Sequence, residues 1–256
     1  MRPQIFLEIF SGCGRLAAEL RKLGYLVLER DVLRGPSWDL TLRCNQRLIR
    51  GWIAAGHVWG AHLGTPCSTW SRARDRGPIR DPDRPRPGPP SRLRSDEHLL
   101  GLPELRHPAD LEAFRIGNEL ARLSISIMEQ LKHQQRPVTL ENPSSSRIWL
   151  LPRLLKAKSW KSASCIDTCY CMFGEKWKKP TRFLGCRIDL TDIHRVCTGR
   201  TCCRTGLPHL TLSGFDGPRG WLTKKSEKYP VELCSHLARA FANARAALDI
   251  HKSSRV

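Results

Sequence analysis

A cysteine lies directly after an apolar segment in the first third of the chain. Residues Val58 to Leu63 predict a short buried strand, Gly64 ends it, and Pro66 stiffens the exit toward Cys67. Ligands of open α/β sheets bind beyond the carboxyl ends of the strands. A thiol at that place can act as a nucleophile when its pKa is lowered or a base lies close. The alternative is a small buried apolar cysteine, which is the commoner role of this residue.

A carboxylate ends another predicted strand. Residues 137–140 read as a short strand, and Glu141-Asn142-Pro143 follows directly. A carboxyl group beside a reacting base can donate a proton or form hydrogen bonds that stabilise an intermediate. The alternative is a carboxylate that caps the helix after the strand. If the two strands are neighbours, Glu141 and Cys67 lie at one site.

A glycine-rich turn follows the first predicted strand. The unit consists, in order, of strand QIFLEIF (4–10), the turn Ser11-Gly12-Cys13-Gly14, a helix over Arg15 to Leu23, and a strand over Tyr25 to Leu28 that leads into Glu29-Arg30-Asp31. Glycines let a ligand approach the backbone, and an acid at the end of the second strand can accept hydrogen bonds from ribose hydroxyls. The unit predicts a ligand of the adenosine type.

Residues that commonly ligate metals crowd into the last third of the chain. Between positions 194 and 209 they are His194, Cys197, Cys202, Cys203 and His209. Cys197 and Cys202 with His209 could supply tetrahedral Zn²⁺ ligands, and Cys171 or Cys186 could complete the set. The alternative is a group of reduced thiols with incidental histidines. The total of 11 cysteines is odd, which argues against a complete disulfide framework.

The remaining pattern alternates strands with helices and predicts an α/β fold with helices on both faces of a Rossmann-like sheet. Beyond the units above, the predicted elements are a short strand over Trp38 to Leu42 with Asp39 near its end, helices over 43–55, Ala109 to Gln134 and Arg147 to Lys158, and a last helix from Tyr229 through Ala247. The predicted organisation is a core over 1–158, a small basic Cys-rich lobe over 159–228, and a returning helix over 229–256.

Charge predicts a polyanionic partner. The chain holds 43 Lys and Arg against 24 Asp and Glu, a formal net charge of +19, and nucleic acid is the commonest partner of such a surface. Residues 71–108 are rich in arginine and proline and predict a mobile loop beside Cys67. Residues 159–187 interleave basic and aromatic side chains, which could contact phosphates and bases or form an ordinary solvated face.

The chain shows no sign of a membrane or secreted protein. No apolar segment approaches the ~20 residues of a membrane span, and the N-terminus lacks the pattern of a secretory signal. We expect an intracellular monomer with reduced thiols, in the nucleus of a eukaryote or in the cytoplasm of a bacterial or virus-infected cell.

Five short motifs occur in one order along the chain: FSGCG (10–14), TPCSTWS (65–71), LENP (140–143), KKPTRFL (178–184) and YPVEL (229–233). Together they resemble the DNA cytosine-5 methyltransferases. The resemblance implies methyl transfer from S-adenosylmethionine to C5 of cytosine in DNA, with the base flipped out of the duplex. It also implies a catalytic set of Cys67, Glu141 and Arg182.

The resemblance implies a cofactor site as well. Its residues would be Phe10, Gly12, Cys13, Gly14, Asp31, Asp39 and Pro66. Asp31 would hold the ribose hydroxyls, with Glu29 as the alternative acid, and Asp39 would reach the adenine amine. The group that removes the C5 proton is not assigned and can be water.

Two other functions stay open. Only about forty residues separate the arginine motif from the last helix, which permits an RNA cytosine methyltransferase. The arginine motif is also abbreviated, which favours a catalytically weak or inactive homologue that binds nucleic acid. Methyl transfer to DNA and to RNA separates these three functions.

Overall fold

A six-stranded mixed sheet lies at the centre of the α/β fold in the computed structural model, which describes residues 4–76, 90–212 and 222–253. The strands are β1 (Ile5–Ile9), β2 (Val27–Arg30), β3 (Val58–Leu63), β4 (Val138–Pro143), β5 (Ala163–Cys169) and β6 (Pro180–Cys186). Their order across the sheet is β2-β1-β3-β4-β6-β5. The first four strands are parallel, and β6 runs antiparallel to both of its neighbours.

Helices cover both faces of the sheet, which confirms the predicted fold class. They are α1 (Arg15–Lys22), α2 (Arg43–Ala54), α3 (Pro108–His133), α4 (Pro152–Lys158) and α5 (Val231–Ser253). Alternate residues of β1 belong to two separate apolar clusters: Leu7 packs with residues of α2, α3 and α4, and Phe6 packs with residues of α1 and α5. This alternation follows from the period of two along a strand. No helix in the described ranges has the length and apolar character needed to cross a bilayer.

The register brings the ends of β1 and β3 level with the residue of β4 that precedes Glu141. Leu63 at the end of β3 pairs with Ile9 at the end of β1 on one side and with Leu140 of β4 on the other. The glycine turn after β1, the segment after β3 and the end of β4 therefore lie side by side at the carboxyl edge of the parallel strands. Ligands of α/β sheets bind at this edge.

The strand expected over residues 38–42 is wrong. The chain instead forms two short 3-10 turns, Val32–Arg34 and Pro36–Trp38. Gly35 between them has φ of +145°, and Asp39 accepts hydrogen bonds from the backbone N–H and the hydroxyl of Thr41, both at 2.8 Å. Proline stabilises turns, and so does an aspartate that accepts hydrogen bonds from a residue two positions later. Both compete with strand pairing.

Part of the loop expected to be mobile packs against the core. Within 90–107, the buried Arg94 donates to the carbonyl of Thr69 at 3.0 Å and to Oδ1 of Asn118 at 2.6 Å, and its guanidinium lies 3.6 Å from the ring centre of Trp70. Arg94 therefore anchors its segment to the core, and the mobility of residues 71–108 stays a prediction. Residues 77–89 lie outside the described residues.

The basic segment after α4 contributes strands to the central sheet. β5 was not predicted, and β6 contains the arginine motif. The boundary expected after residue 158 falls between α4 and β5, and strands from both sides of it share one sheet. The sequence analysis left open that residues 159–187 form a solvated face. β6 within this range is largely buried, so that alternative does not hold for β6.

Candidate active site

Gly64 brings three elements into contact at the end of β3. Its backbone N–H donates to the carbonyl of Ile9 at 3.0 Å. A Cβ added at Gly64 would lie 2.9 Å from the hydroxyl of Tyr229 and 3.0 Å from the carbonyl oxygen of Phe10. Glycine is therefore required by close approach, and it holds the glycine turn and the residue before α5 against the strand that leads to Cys67.

Cys67 lies in a tight turn after β3 and is half-buried. Its carbonyl oxygen accepts hydrogen bonds from the backbone N–H groups of Trp70 and Ser71, at 2.9 and 3.0 Å. The hydroxyl of the buried Thr65 donates to Oγ of Ser124 on α3 at 2.8 Å. The turn is thus fixed on both sides of the thiol, as a positioned nucleophile requires.

Glu141 is a buried carboxyl group in β4, with 6% of its surface exposed. Its Oε2 accepts a hydrogen bond from the hydroxyl of Tyr229 at 3.0 Å. Its Oε1 is buried and has no hydrogen-bond partner among the described residues. Burial is the main cause that raises the pKa of Glu141 above the ordinary value of a glutamate. The carboxyl group therefore holds a proton to higher pH and keeps one oxygen available for a ligand.

Asn142 joins the Glu141 strand to the Cys67 turn. Its Nδ2 donates to the carbonyl of Thr65 at 2.7 Å, and the amide is fully buried. A second link follows in the backbone, where the N–H of Arg147 donates to the carbonyl of Trp70 at 3.0 Å. These two contacts join the segment that carries Glu141 to the turn that carries Cys67, which the sequence analysis expects to lie close together.

The pKa of the Cys67 thiol is raised, whereas that of an activated thiol is lowered. Burial raises its pKa, Lys179 opposes the rise, and the charge of Glu141 adds to it. Lys179 likewise opposes the rise at Glu141. The thiol is therefore mostly protonated at neutral pH, and a thiolate forms only when its proton has a receiver.

Lys179 is a site residue that the sequence did not single out from its basic neighbours. Its Nζ donates to the carbonyl of Ser226 at 2.9 Å and to the hydroxyl of Tyr170 at 3.3 Å. The ammonium group also lies 4.6 Å from the ring centre of Tyr170. The one available signal was its place directly before β6, level with the end of β4.

A buried chain of hydrogen bonds supports Glu141 from behind. His62 Nε2 lies 3.0 Å from the hydroxyl of Tyr229, and His62 Nδ1 lies 2.7 Å from Oγ1 of Thr139. Burial lowers the pKa of His62 to about 3, so the ring is neutral. When Tyr229 donates to Glu141, the neutral ring donates from Nε2 and accepts from Thr139 at Nδ1.

The structure does not bring Arg182 to this pair. In the antiparallel ladder Arg182 stands opposite Asn142, and Glu141 stands opposite Phe183. Successive side chains of a strand point to opposite faces, so Arg182 and Glu141 lie on different faces of the sheet. The guanidinium instead binds both carboxylate oxygens of Asp167 on β5, at 2.7 and 2.8 Å. The expectation that Arg182 shares the catalytic site is corrected accordingly.

The glycine turn has the strained backbone of a ligand-binding turn. Phe10, Gly12 and Gly14 have φ of 60°, 51° and 69°, and open space surrounds the Cα of Gly12. The hydroxyl of Ser11 is buried and has no partner among the described residues. Positive φ at Phe10 is costly for a residue with a side chain, which is a common feature of functional turns.

Asp31 and Glu29, the two acids beside this turn, make different contacts. Asp31 accepts from the N–H of Gly12 through Oδ2 and from the N–H of Leu33 through Oδ1, both at 2.8 Å. Glu29 pairs with Arg34, and a Cβ at Gly14 would lie 2.1 Å from both groups. Asp31 thus fixes the turn, and Glu29 packs directly on it.

The other residues expected to contact the cofactor occupy different environments. Cys13 is exposed in the glycine turn, Pro66 is half-buried beside Cys67, and Asp39 bonds its own turn. Beneath the glycine turn lies Glu8, which the sequence analysis did not select. Its Oε2 accepts from the N–H of Ala17 at 2.7 Å, and burial raises its pKa to about 8.

The predicted metal-ligating residues come together elsewhere on the chain. The ligand atoms of Cys171, Cys197, Cys202 and His209 all lie within 4.8 Å of one another. Cys186 belongs to the main apolar core, and His194 bonds the carbonyl of Asp167, so neither belongs to this group.

A cavity of about 600 Å³ lies between this Cys-rich segment and the end of β4. Its lining includes Pro143 and Ser145 from the turn after Glu141, and Lys178, Lys179 and Arg200 from the basic segment. The cavity therefore offers positive charge directly beside the Glu141 strand end, which suits a phosphate-bearing ligand.

The chain has little detectable similarity to known proteins. No family model matches the chain, and no curated protein sequence matches it. Among solved structures, the Entamoeba histolytica methyltransferase EhMeth aligns with a TM-score of 0.37 and 9% identity, over 82% of this chain. The alignment covers 58% of that protein's chain, so this chain spans less than two thirds of its length.

Proposed function

We propose that the protein transfers a methyl group from S-adenosylmethionine to C5 of cytosine in DNA. The observation that carries the proposal is that the turn of Cys67 adjoins a buried carboxyl group, Glu141, whose Oε1 has no hydrogen-bond partner in the described part of the chain. Their two elements are tied by the Asn142 to Thr65 hydrogen bond at 2.7 Å. A nucleophile and a proton-holding acid at adjacent strand ends suit attack on a flat heterocycle.

Cys67 supplies the nucleophile. Its thiolate adds to C6 of cytosine, and the electron pair of the C5–C6 bond then makes C5 nucleophilic. After the methyl group joins C5, loss of the C5 proton expels the thiolate and restores the ring. Because burial raises the pKa of Cys67, the thiolate has to form within the bound complex, assisted by the charge of Lys179.

Glu141 stabilises the intermediate. The raised pKa of Glu141 lets a protonated carboxyl group donate to N3 of the ring as negative charge develops there, and its other oxygen can accept from the 4-amino group. Tyr229 holds Oε2 in place at 3.0 Å. The C5 proton leaves to a base that we assign to solvent water.

The turn after β1 fits an adenosine-type cofactor. Gly12 has open space where a Cβ would lie, and the hydroxyl of Ser11 has no partner among the described residues. These two residues and Asp31, with Glu29 as the alternative acid, would hold the cofactor. S-adenosylmethionine supplies an electrophilic methyl group when bound. The N–H of Gly64 donates to the carbonyl of Ile9 at 3.0 Å, which ties the start of this turn to the segment that leads to Cys67.

Charge supports a nucleic-acid substrate. The net charge of +19 favours a polyanion, and the basic cavity adjoins the turn after Glu141. A cytosine inside a duplex is inaccessible to two side chains at a sheet edge, so the base must leave the stack. Phosphate contacts by Lys178 and Arg200 would position the backbone of the flipped nucleotide.

The test is methyl transfer from tritiated S-adenosylmethionine to duplex DNA and to structured RNA, followed by identification of the methylated nucleoside. We expect 5-methyldeoxycytidine from the wild-type chain, and about 10²–10⁴-fold less with Glu141→Gln. The matched control is Glu129→Gln, a partly exposed glutamate on α3 that pairs with Arg153 away from the Glu141 strand. Methylation confined to RNA, or at a position other than C5, would overturn the proposal, as would equal rates for the two glutamate variants.

A further inference from the structure

Four ligand atoms converge between β5 and the segment that follows β6. Cys171 belongs to the 3-10 turn after β5, and Cys197 follows 26 residues later. Cys202 and His209 directly follow Thr201 and Pro208, which pair in a small antiparallel bridge. The three cysteines are buried, with 1%, 1% and 5% of their surfaces exposed. Three chain segments thus deliver thiols and an imidazole to one point.

The spacing of these atoms matches a tetrahedral site. Zinc bonds of about 2.3 Å to sulfur and 2.0 Å to nitrogen place ligand atoms of a tetrahedron about 3.5–3.8 Å apart. Sγ of Cys197 and Nε2 of His209 are 3.5 Å apart, and all four ligand atoms fit within 4.8 Å. Small side-chain rotations close the set onto one ion.

Hydrogen bonds prepare the ligands for a metal. Nδ1 of His209 lies 2.7 Å from the carbonyl of Arg200, so the ring donates from Nδ1 and presents the lone pair of Nε2 to the cysteines. The backbone N–H of Cys203 donates to Sγ of Cys197 at 3.4 Å. Outer contacts of this kind fix the histidine tautomer and stabilise thiolates around zinc.

We infer that Cys171, Cys197, Cys202 and His209 bind one structural Zn²⁺. All four positions are protein ligands, as in closed structural sites. The ion joins the end of β5 to the 197–209 segment, which forms one wall of the 600 Å³ cavity through Arg200 and His209. Lys178, which also lines the cavity, donates to the carbonyl of Gly199 at 3.3 Å, so the metal would fix the shape of this basic cavity.

The test is zinc content of the full chain, expressed with zinc and purified without chelators. We expect about one zinc per chain by elemental analysis. Cys197→Ser and His209→Gln should each lower the content at least fivefold. Cys203→Ser is the matched control, because its thiol adjoins Cys197 at 3.5 Å but does not belong to the group of four. Cobalt reconstitution should give the visible bands of a tetrahedral thiolate site.

Each other outcome contradicts the inference. Less than a tenth of a zinc per wild-type chain, together with absent cobalt bands, would show that the thiols bind no metal. Full zinc in Cys197→Ser would refute the donor set. Loss of zinc in Cys203→Ser with retention in Cys171→Ser would move the site to a different set. The wild-type measurement decides the question even where a variant fails to fold.

Discussion

The hydroxyl of Tyr229 donates to Oε2 of Glu141 at 3.0 Å, across 88 residues of sequence. The same hydroxyl lies 3.0 Å from Nε2 of His62, so one side chain before α5 joins β3 to β4. Burial raises the pKa of Tyr229 well above its usual value, and the hydroxyl keeps its proton. One oxygen of Glu141 is thereby held, and the other stays available at the site.

Tyr229→Phe should lower kcat more than it changes KM. The variant removes the hydrogen bond that opposes the raised pKa of Glu141 and leaves a ring nitrogen of His62 without its partner. Because Glu141 acts in its protonated form, we expect the alkaline limb of the pH–rate profile to move to higher pH, and the free energy of unfolding to fall by about 1–3 kcal/mol. Steady-state methyl transfer and urea unfolding provide the two measurements.

The matched control for this change is Tyr25→Phe. Tyr25 packs its ring against Trp59 in the cluster under α5, away from the Glu141 strand end. Its variant should leave the pH–rate profile in place. An unmoved profile in Tyr229→Phe would remove Tyr229 from the role argued above.

Gly64→Ala and Gly51→Ala should change stability in opposite directions. At Gly64 the new methyl group would meet the hydroxyl of Tyr229 and the carbonyl of Phe10 at 2.9 and 3.0 Å, so backbone must shift. At Gly51 in α2 the methyl group enters open space, and alanine favours the helix by up to about 1 kcal/mol. Thermal unfolding of both variants tests this, and a neutral Gly64→Ala would contradict the close contact.

Lys179→Met should make Cys67 ionise at still higher pH than in the wild type. Lys179 opposes the rise in the pKa of the thiol, and the methionine removes its charge while keeping its length. The measurement is the pH dependence of alkylation of the Cys67 peptide, followed by mass spectrometry. Arg182→Met is the control, because that guanidinium faces Asp167. A larger shift in the arginine variant would restore Arg182 to the site.

Glu8→Gln should reduce the loss of stability on going from pH 6.5 to 8. The folded-state pKa of Glu8, about 8, lies above the ordinary value of 4.5, so its contribution is present at low pH and is lost as pH rises through that window. One such group contributes a slope of at most about 1.4 kcal/mol per pH unit. Glu141 acts in the same direction, so the variant lowers the slope without removing it.

The contribution of His62 to stability changes with pH in the opposite direction to that of Glu8, and it does so at lower pH. Its pKa is lowered to about 3, so the stability it confers declines as pH falls from 6.5 toward 3. His62→Asn should therefore show a shallower decline on acidification than the wild type, measured by urea unfolding at each pH. An equal decline in both proteins would contradict the neutral buried ring.

The parallel strands and both flanking layers could be predicted because their apolar periodicity is strong. Val58 to Leu63 and the long helix before β4 stand out in the sequence, and the structure has both. The turn over 36–42 was misread because its apolar residues resemble a strand, while Pro36 and the Thr41 contacts of Asp39 decide for a turn. Local hydrogen bonds of this kind carry no periodic signal.

The short sequence motifs predicted part of the site. Gly12 and Cys67 follow β1 and β3, and Glu141 lies in the second half of β4. These three strands are parallel neighbours, so the topology brings the three segments together. The face of the sheet that Arg182 occupies depends on register with β4, which no local pattern reveals. Lys179 and Tyr229 join the site through contacts across the sheet. Each lies in one of the short motifs, KKPTRFL or YPVEL, but neither motif indicates these contacts.

The central claim is that Cys67 bonds to cytosine C6 within the same pocket as Glu141. Duplex DNA carrying 5-fluorocytosine, incubated with S-adenosylmethionine, tests it directly because fluorine at C5 prevents release of the enzyme. We expect a denaturant-resistant protein–DNA complex with the wild type and with the exposed-thiol control Cys44→Ser. Cys67→Ser should give none. A complex that persists in Cys67→Ser, or its absence in the wild type under conditions that methylate ordinary DNA, would contradict the account.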